Sequence, residues 1–296
     1  MRIGYACINK TLNNEGNFKT LKLNTSLKLS KDDFYIKIKN IILHNLNNTY
    51  KILQWNIEND ILMYRCSSDL IPLMSHSFND FEWWDDNDIL FICNKIKKLI
   101  NDNDLRVSFH PSQFNVLNSI NPHTIQNTLN DLNMHNILAN LLGVKTLILH
   151  IGSKTDGIEE SLKRFIKGFS LLNDNLKSKL VLENDDKSFN VENTLKICKI
   201  LKIPMCVDIH HDRCLESSQN IEFYMDDIFQ TWNRNIPKCH LSSGRSHLKD
   251  RAHADYITNE DYEHALKITR GNWDIMCETK TKDLSIIEIK RRIICL

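Results

Sequence analysis

Seven residues of this chain, His110, His150, Glu183, Asp208, His211, His240 and Glu278, are of the types that bind divalent cations, and each closes or follows a short apolar run. Neutral imidazole and carboxylate together suit borderline ions such as zinc, manganese or iron, and several of each predict more than one ion. Asp208 and His211 form D-x-x-H just past one run, close enough to reach neighbouring ions. Lys238 and His240 stand two apart on another and so share a face. A lone histidine is more often an ordinary buried or surface residue. Repetition at run after run is what points to a shared site. His44, His123, His135 and His264 fall in predicted helices and are expected at the surface, and strand alternation turns His210 away from the set. Clustered divalent ions bind a phosphodiester oxygen, lower the pKa of a bridging water to generate hydroxide, and stabilise the leaving oxygen. Hydrolytic phosphodiester cleavage is therefore the chemistry that uses this set most fully. The same ligand types also serve sugar isomerases, so the residues alone leave the substrate open.

These residues are spread over more than half of the chain, and the fold must gather them. Eight short β-branched or apolar runs, near 2–8, 61–66, 105–109, 145–149, 179–182, 204–209, 236–241 and 273–277, alternate with predicted helices. The helices fall near 32–47, 86–101, 122–142, 158–174, 190–201, 220–233, 259–268 and 282–291. Alternation of this kind specifies an α/β fold around a parallel sheet. A TIM (β/α)8 barrel brings all strand ends to one face, whereas an open doubly wound sheet spreads them along an edge. The barrel is the expected fold, as a single domain over 1–296, a length that suits an architecture of about 250 residues. No repeat or linker breaks the pattern, and 10–31 reads as a long loop.

Composition narrows the function classes. Hydrophobic residues make up 42%, enough for a large core, and the net charge of +1 gives no overall pull towards nucleic acid or membrane, so any DNA contact must be local. Nine cysteines, odd in number, scattered and without a C-x-x-C pair, indicate neither a zinc ribbon nor a disulfide framework. With no signal-like or membrane-spanning apolar stretch, the expectation is a soluble intracellular protein in a reducing compartment.

The segments RIGYACINKTL (2–12), SSDLIPLMSH (67–76), SFHPSQFNVLNS (108–119), LILHIGSKTDG (147–157), LVLENDD (180–186), VDIHHD (207–212), KCHLSS (238–243), HADYI (253–257) and MCETKTKD (276–283) resemble those of UV damage endonucleases, barrels related to apurinic endonuclease IV. The resemblance runs in order along nearly the full chain. It implies a nick immediately 5′ to a UV photoproduct, leaving a 3′-hydroxyl and a 5′-phosphate. It also implies a cluster of two or three divalent ions, manganese first and zinc as the alternative. The substrate it implies is double-stranded DNA carrying UV or other damage, with no obligatory protein partner and no membrane.

By the same resemblance the seven residues above are metal ligands, with His76 beside them. Endonuclease IV has an aspartate two positions before a histidine where this chain has Lys238 before His240, which favours the UV damage branch. Lys238, expected to be buried, would contact a phosphate or, if chemically modified, approach the metals; Lys238, Glu278 and His253 form the expected catalytic group. Tyr5 and Asn9 match residues of the lesion pocket, with a plain core position as the alternative for Tyr5. Gln113 and Phe114 match a Gln-Tyr pair that pushes into the duplex, with Phe in place of Tyr. An apolar ring can still wedge between bases, although the tyrosine hydroxyl is lost. Lys154, Arg245, Lys249 and Arg251 form the best local basic patch for DNA phosphates, a solvated charged loop being the alternative. His253 is expected to touch a phosphate or assist the leaving group. The competing functions are an abasic-site endonuclease and a protein that binds damaged DNA without cutting.

Overall fold

The computed structural model describes residues 1–12 and 17–294, and within them eight parallel strands close into a barrel in sequence order. They are β1 (Ile3–Ala6), β2 (Met63–Cys66), β3 (Arg106–Phe109), β4 (Leu147–His150), β5 (Leu180–Glu183), β6 (Met205–Asp208), β7 (Lys238–Leu241) and β8 (Asp274–Cys277), with β8 paired back onto β1. The expected fold and all eight predicted strands are present. Among the described residues, no helix is long and apolar enough to cross a membrane. Eight cysteines are free, and Cys295 lies outside the described residues.

The helices are α1 (Leu23–Ser26), α2 (Lys31–Glu58), α3 (Asn87–Asp102), α4 (Pro122–Leu142), α5 (Ile158–Ser170), α6 (Asp174–Lys177), α7 (Val191–Leu201), α8 (Ile209–Cys214), α9 (Ile221–Thr231), α10 (Asn259–Ile268) and α11 (Asp283–Ile294). Side-chain oxygens of Ser30, Asp86, Asn121, Asn190, Asn220 and Thr258 satisfy free N–H groups at six helix starts. Three outlines differ from the sequence reading. The helix expected near 32–47 continues to Glu58 because Ile52, Leu53 and Asn56 keep its inner stripe buried. The stretch 10–31 contains α1, and 158–174 divides into α5 and the start of α6.

Strand alternation separates two environments. Outward residues such as Leu147, Leu149, Leu180, Leu182, Val207 and Cys239 join the large core under the helices. Inward residues are another population: Ile148, Val181 and Cys206 form a small separate cluster with Trp232, and Ala6, Met63 and Met276 form another. The rest of the interior is polar. Ser108 and Lys238 are bonded across it, Nζ to Oγ at 2.8 Å. Because residues two apart face the same way, Ser108 and Lys238 lie one step below His110 and His240.

His135, expected at the surface, is instead buried on α4, its Nδ1 3.0 Å from the Asp131 carbonyl and 3.2 Å from the Asp131 carboxylate. The 3.6-residue period of α4 turns it inward, edge-on to Phe109.

Gly4 has no room for a side chain, since an added Cβ would stand 2.1 Å from the Met63 carbonyl oxygen of β2. Gly4→Ala should therefore cost about 1–3 kcal/mol of overpacking strain. Urea unfolding of both proteins checks this, and an unchanged midpoint would contradict the packing described for β1 and β2.

Candidate metal centre

The inward side chains at the C-terminal strand ends converge on Glu183, which is 1% exposed at the end of β5. One carboxylate oxygen lies 2.8 Å from His110 Nε2 and 3.5 Å from His150 Nε2. The other lies 2.6 Å from His240 Nδ1 and 3.9 Å from His211 Nδ1. His240 Nδ1 is also 3.0 Å from Glu278. Two donor groups result, His110 with His150 and Glu183, and Glu183 with Asp208, His240 and Glu278; within each, the donor atoms lie within 4.8 Å of one another. Glu183 belongs to both, an arrangement suited to adjacent ions sharing a bridging carboxylate. His211 stands beside them, its ring 5.8 Å from that of His150.

Backbone carbonyls set the imidazoles. Nδ1 of His110 is 3.1 Å from the Pro111 oxygen, Nδ1 of His150 is 3.3 Å from that of Glu183, and Nδ1 of His211 is 2.9 Å from that of Asn184. A ring whose Nδ1–H is donated to a carbonyl offers Nε2 as its ligand atom. Asp208 receives the His210 and His211 amides on Oδ1 at 2.8 and 2.7 Å, capping α8, while its buried Oδ2 makes no hydrogen bond and lies 3.7 Å from His211 Nδ1. His240 turns Nδ1, not Nε2, to the carboxylates of Glu183 and Glu278. A buried carboxylate oxygen left open among three carboxylates and four imidazoles fits a divalent cation.

The electrostatics agree. Burial pushes the Glu183 carboxyl up, but the charges of His240 and His150 and hydrogen bonds from His110 and His240 outweigh it and hold the group well below the usual carboxylate range. Glu278 is likewise held down, burial being outweighed by Arg65 and His240. Burial lowers His110. Against the same burial, Asp208 and Glu183 raise His211 to about 9, and His240 is also raised by neighbouring acidic groups.

All seven predicted ligands thus meet at one place, and two further groups escaped the sequence reading. Arg65, inward from β2, forms an ion pair with Glu278; the signal was a charge inside the apolar run ILMYRC. Asn184 is buried and clamps Asp208 by accepting its N–H at 2.9 Å and donating to its carbonyl at 2.9 Å. Its signal was an amide directly after Glu183.

Other expectations change. Tyr5 is fully buried, its hydroxyl between Asn56 and Asn9 at 2.7 and 2.8 Å, and Asn9 is enclosed with it. Neither side chain is open to a lesion here, because strand alternation points Tyr5 into the helix-covered core. Lys238 is buried as expected, yet a direct phosphate contact is closed to its enclosed ammonium. Burial pushes that group down to about 8. His76 is exposed, accepts the Phe78 amide on Nδ1, and stands outside both donor groups. His210, turned away as expected, faces the Asp250 carbonyl at 2.8 Å.

Around the centre stand the loops that follow β3, β4, β5 and β7. Phe114 is 79% exposed and Gln113 is exposed beside it. Their loop is nevertheless braced, because Asn115 donates to Asp131 at 2.8 Å and Asn118 donates to the Ser153 carbonyl at 2.7 Å. The 244–253 loop is a small hairpin closed by a bridge between Gly244 and half-buried His253, whose ring lies edge-on to His210. Within the patch, Lys249 pairs with Glu216 and Arg251 with Asp186, and Lys154 donates to the Lys187 carbonyl. Arg245 has no ion pair among the described residues.

A proton balance follows from the raised imidazoles. His211 in the metal-free protein keeps its proton until about pH 9, whereas a ligand imidazole must be neutral. Divalent-ion uptake at neutral pH should release at least one proton, and apparent affinity should rise with pH up to about 9. Without metal, the stabilisation from this raised group is complete below its ordinary 6.5 and is lost as pH rises through about 9. Calorimetric titration with Mn2+ in buffers of different ionisation enthalpy measures the proton count. A buffer-independent heat would contradict it.

Comparison with known proteins agrees along the whole molecule. The family model described as UV-endonuclease UvdE matches residues 1–294. The UV DNA damage endonuclease of Bacillus mycoides is 35% identical over 299 residues, covering 98% of this chain and 93% of that protein. The crystal structure of SacUVDE superposes with a TM-score of 0.89 at 32% identity over 100% of both chains. Endonuclease IV from Thermus thermophilus, 14% identical with a TM-score of 0.60 and 98% of each chain covered, shares the fold. The chain belongs to the UV-endonuclease UvdE family.

Proposed function

We propose that the chain is a metal-dependent DNA-repair endonuclease that nicks the strand immediately 5′ to a UV photoproduct, leaving a 3′-hydroxyl and a 5′-phosphate. The observation that carries this reading is Phe114, a large apolar ring held out in solvent by a braced loop that begins at the metal-centre residue His110. A wedge and a hydrolytic centre joined by a few residues suit recognition of a distorted, easily unstacked step beside the bond to be cut.

His110, His150, Glu183, Asp208, His211, His240 and Glu278 would hold the ions, manganese first, with zinc as the alternative. Bound there, the ions would supply Lewis-acid activation of water and of the scissile phosphodiester. The protein's own groups divide the remaining work. Asn184 and the strand-end carbonyls fix the donor orientations before substrate arrives. Arg65 and His240 both hold the Glu278 carboxylate through the same oxygen, Oε1, restricting its rotation. Lys238 acts from beneath by tying β7 to β3 through Ser108. Arg245, Lys154 and Arg251 lie on loops at the same face and would meet backbone phosphates, and His253, at the base of the Arg245 hairpin, would touch a phosphate or assist the leaving group. Gln113 would contact the exposed base edges beside the Phe114 ring. Tyr5 and Asn9, enclosed in the core beside Asn56, would act only by holding the loop after β1 in place.

The test is a duplex carrying one cyclobutane dimer, incubated with the protein and Mn2+. A single nick 5′ to the dimer is expected, with an abasic duplex cut more slowly. Glu278→Gln should slow cleavage by about a hundredfold or more while damaged-duplex binding is kept. Phe114→Ala should keep the metal content and weaken damaged-duplex binding by about 1–3 kcal/mol. Intact dimer duplex with every divalent ion would sink the proposal, and so would an abasic duplex cut much faster.

A further inference from the structure

A cavity of about 730 Å³ opens at the opposite end of the barrel. Its walls come from the N-terminal ends of the strands: Arg2 before β1, Arg106 at the start of β3, Lys145 before β4, Lys179 before β5, and Arg234 before β7. The metal-centre residues lie at the other ends of the same strands. From Arg106 to His110 along β3 is on the order of 13 Å at the usual rise per residue, so the two places are separate.

Its charge is distinctive. Five cationic side chains line the cavity with one acidic one, Asp104. Arg2 is paired with Asp104 and, at 3.3 Å, with buried Asp274; Arg106 is 2.8 Å from the same Asp274. The other three cations have no acidic partner among the described residues. Buried Lys179 gives its protons to neutral oxygens only, Asn136 Oδ1 at 3.0 Å and the Asn175 side-chain and main-chain oxygens at 2.6 and 3.2 Å, so its hydrogen bonds are satisfied and its charge is not. Lys145 and Arg234 are exposed, with no ion pair among the described residues. A local excess of positive charge thus stands in a chain whose net charge is only +1. The Arg106 guanidinium is also fixed, lying 5.2 Å over the ring of buried Trp232.

We propose that this cavity is a second binding site, for a small phosphorylated anion of mononucleotide size, held by Lys145 and Arg234 with the buried charge of Lys179 behind them. Its volume falls within the roughly 300–1,000 Å³ of small-molecule pockets. An ammonium and a guanidinium left unpaired on one cavity match the multiple oxygens of a phosphoryl group.

Calorimetric titration of the metal-loaded protein with thymidine 5′-monophosphate tests the assignment. Saturable binding of one equivalent is expected, weakened by roughly tenfold or more in the Lys145→Ala, Arg234→Ala double variant. Both side chains are exposed and unpaired, so folding and metal content should be unchanged in that variant. Glu183→Gln, which alters the metal centre, should leave this binding intact. The proposal is overturned by the absence of saturable binding, by equal affinity in the double variant, or by loss of binding in Glu183→Gln, which would put the nucleotide on the metal centre. Binding of an oligonucleotide but not the mononucleotide would also overturn it.

Discussion

Glu183 is a carboxylate almost completely removed from water, and its two oxygens face the imidazoles of four other elements. A buried carboxylate is costly unless paired. Here the pairing is possible only because β3, β4, β5 and β7 and the start of α8 end at one level around a closed barrel. The closure of β8 onto β1 matters for the same reason, since Glu278 and Arg65 enter the cluster from strands on either side of β1. The polar interior beneath, with Lys238 bonded to Ser108, continues that constraint downwards. The apolar core supplying most of the stability lies outside the sheet, under the helices.

This separation explains which features were legible in the sequence. Strand ends carrying His110, His150, Glu183, Asp208, His240 and Glu278 could be read because alternation and barrel topology leave one place for them to meet. Asn184 could not be read as a clamp, because its role is two hydrogen bonds to a strand 24 residues away. Arg65 was hidden in the same way: its charge was visible, but its partner is 213 residues distant. Tyr5 and His135 show the opposite failure. Both residue types suit a functional surface, and in both cases the period of the element turns the side chain into the core.

The two functions proposed for the catalytic face place opposite demands on the chain. Metal-binding groups need fixed orientation and low exposure, and the carbonyl-anchored imidazoles provide it. A residue that enters a duplex must stand in water beforehand, and Phe114 does so. The brace through Asn115, Asp131 and Asn118 reconciles them, since it holds the wedge at a set position without burying it. The loss of a hydroxyl relative to tyrosine leaves stacking and shape as the means of recognition at this position.

Metal content measured by mass spectrometry on the purified protein and on two variants tests the shared role of Glu183 most directly. Glu183→Gln should lose ions from both donor groups together. His150→Gln, which touches only the group with His110, should lose ions from that group and retain those held by Asp208, His240 and Glu278. Full occupancy in Glu183→Gln, or the same loss in both variants, would contradict the account of a single carboxylate shared between neighbouring ions.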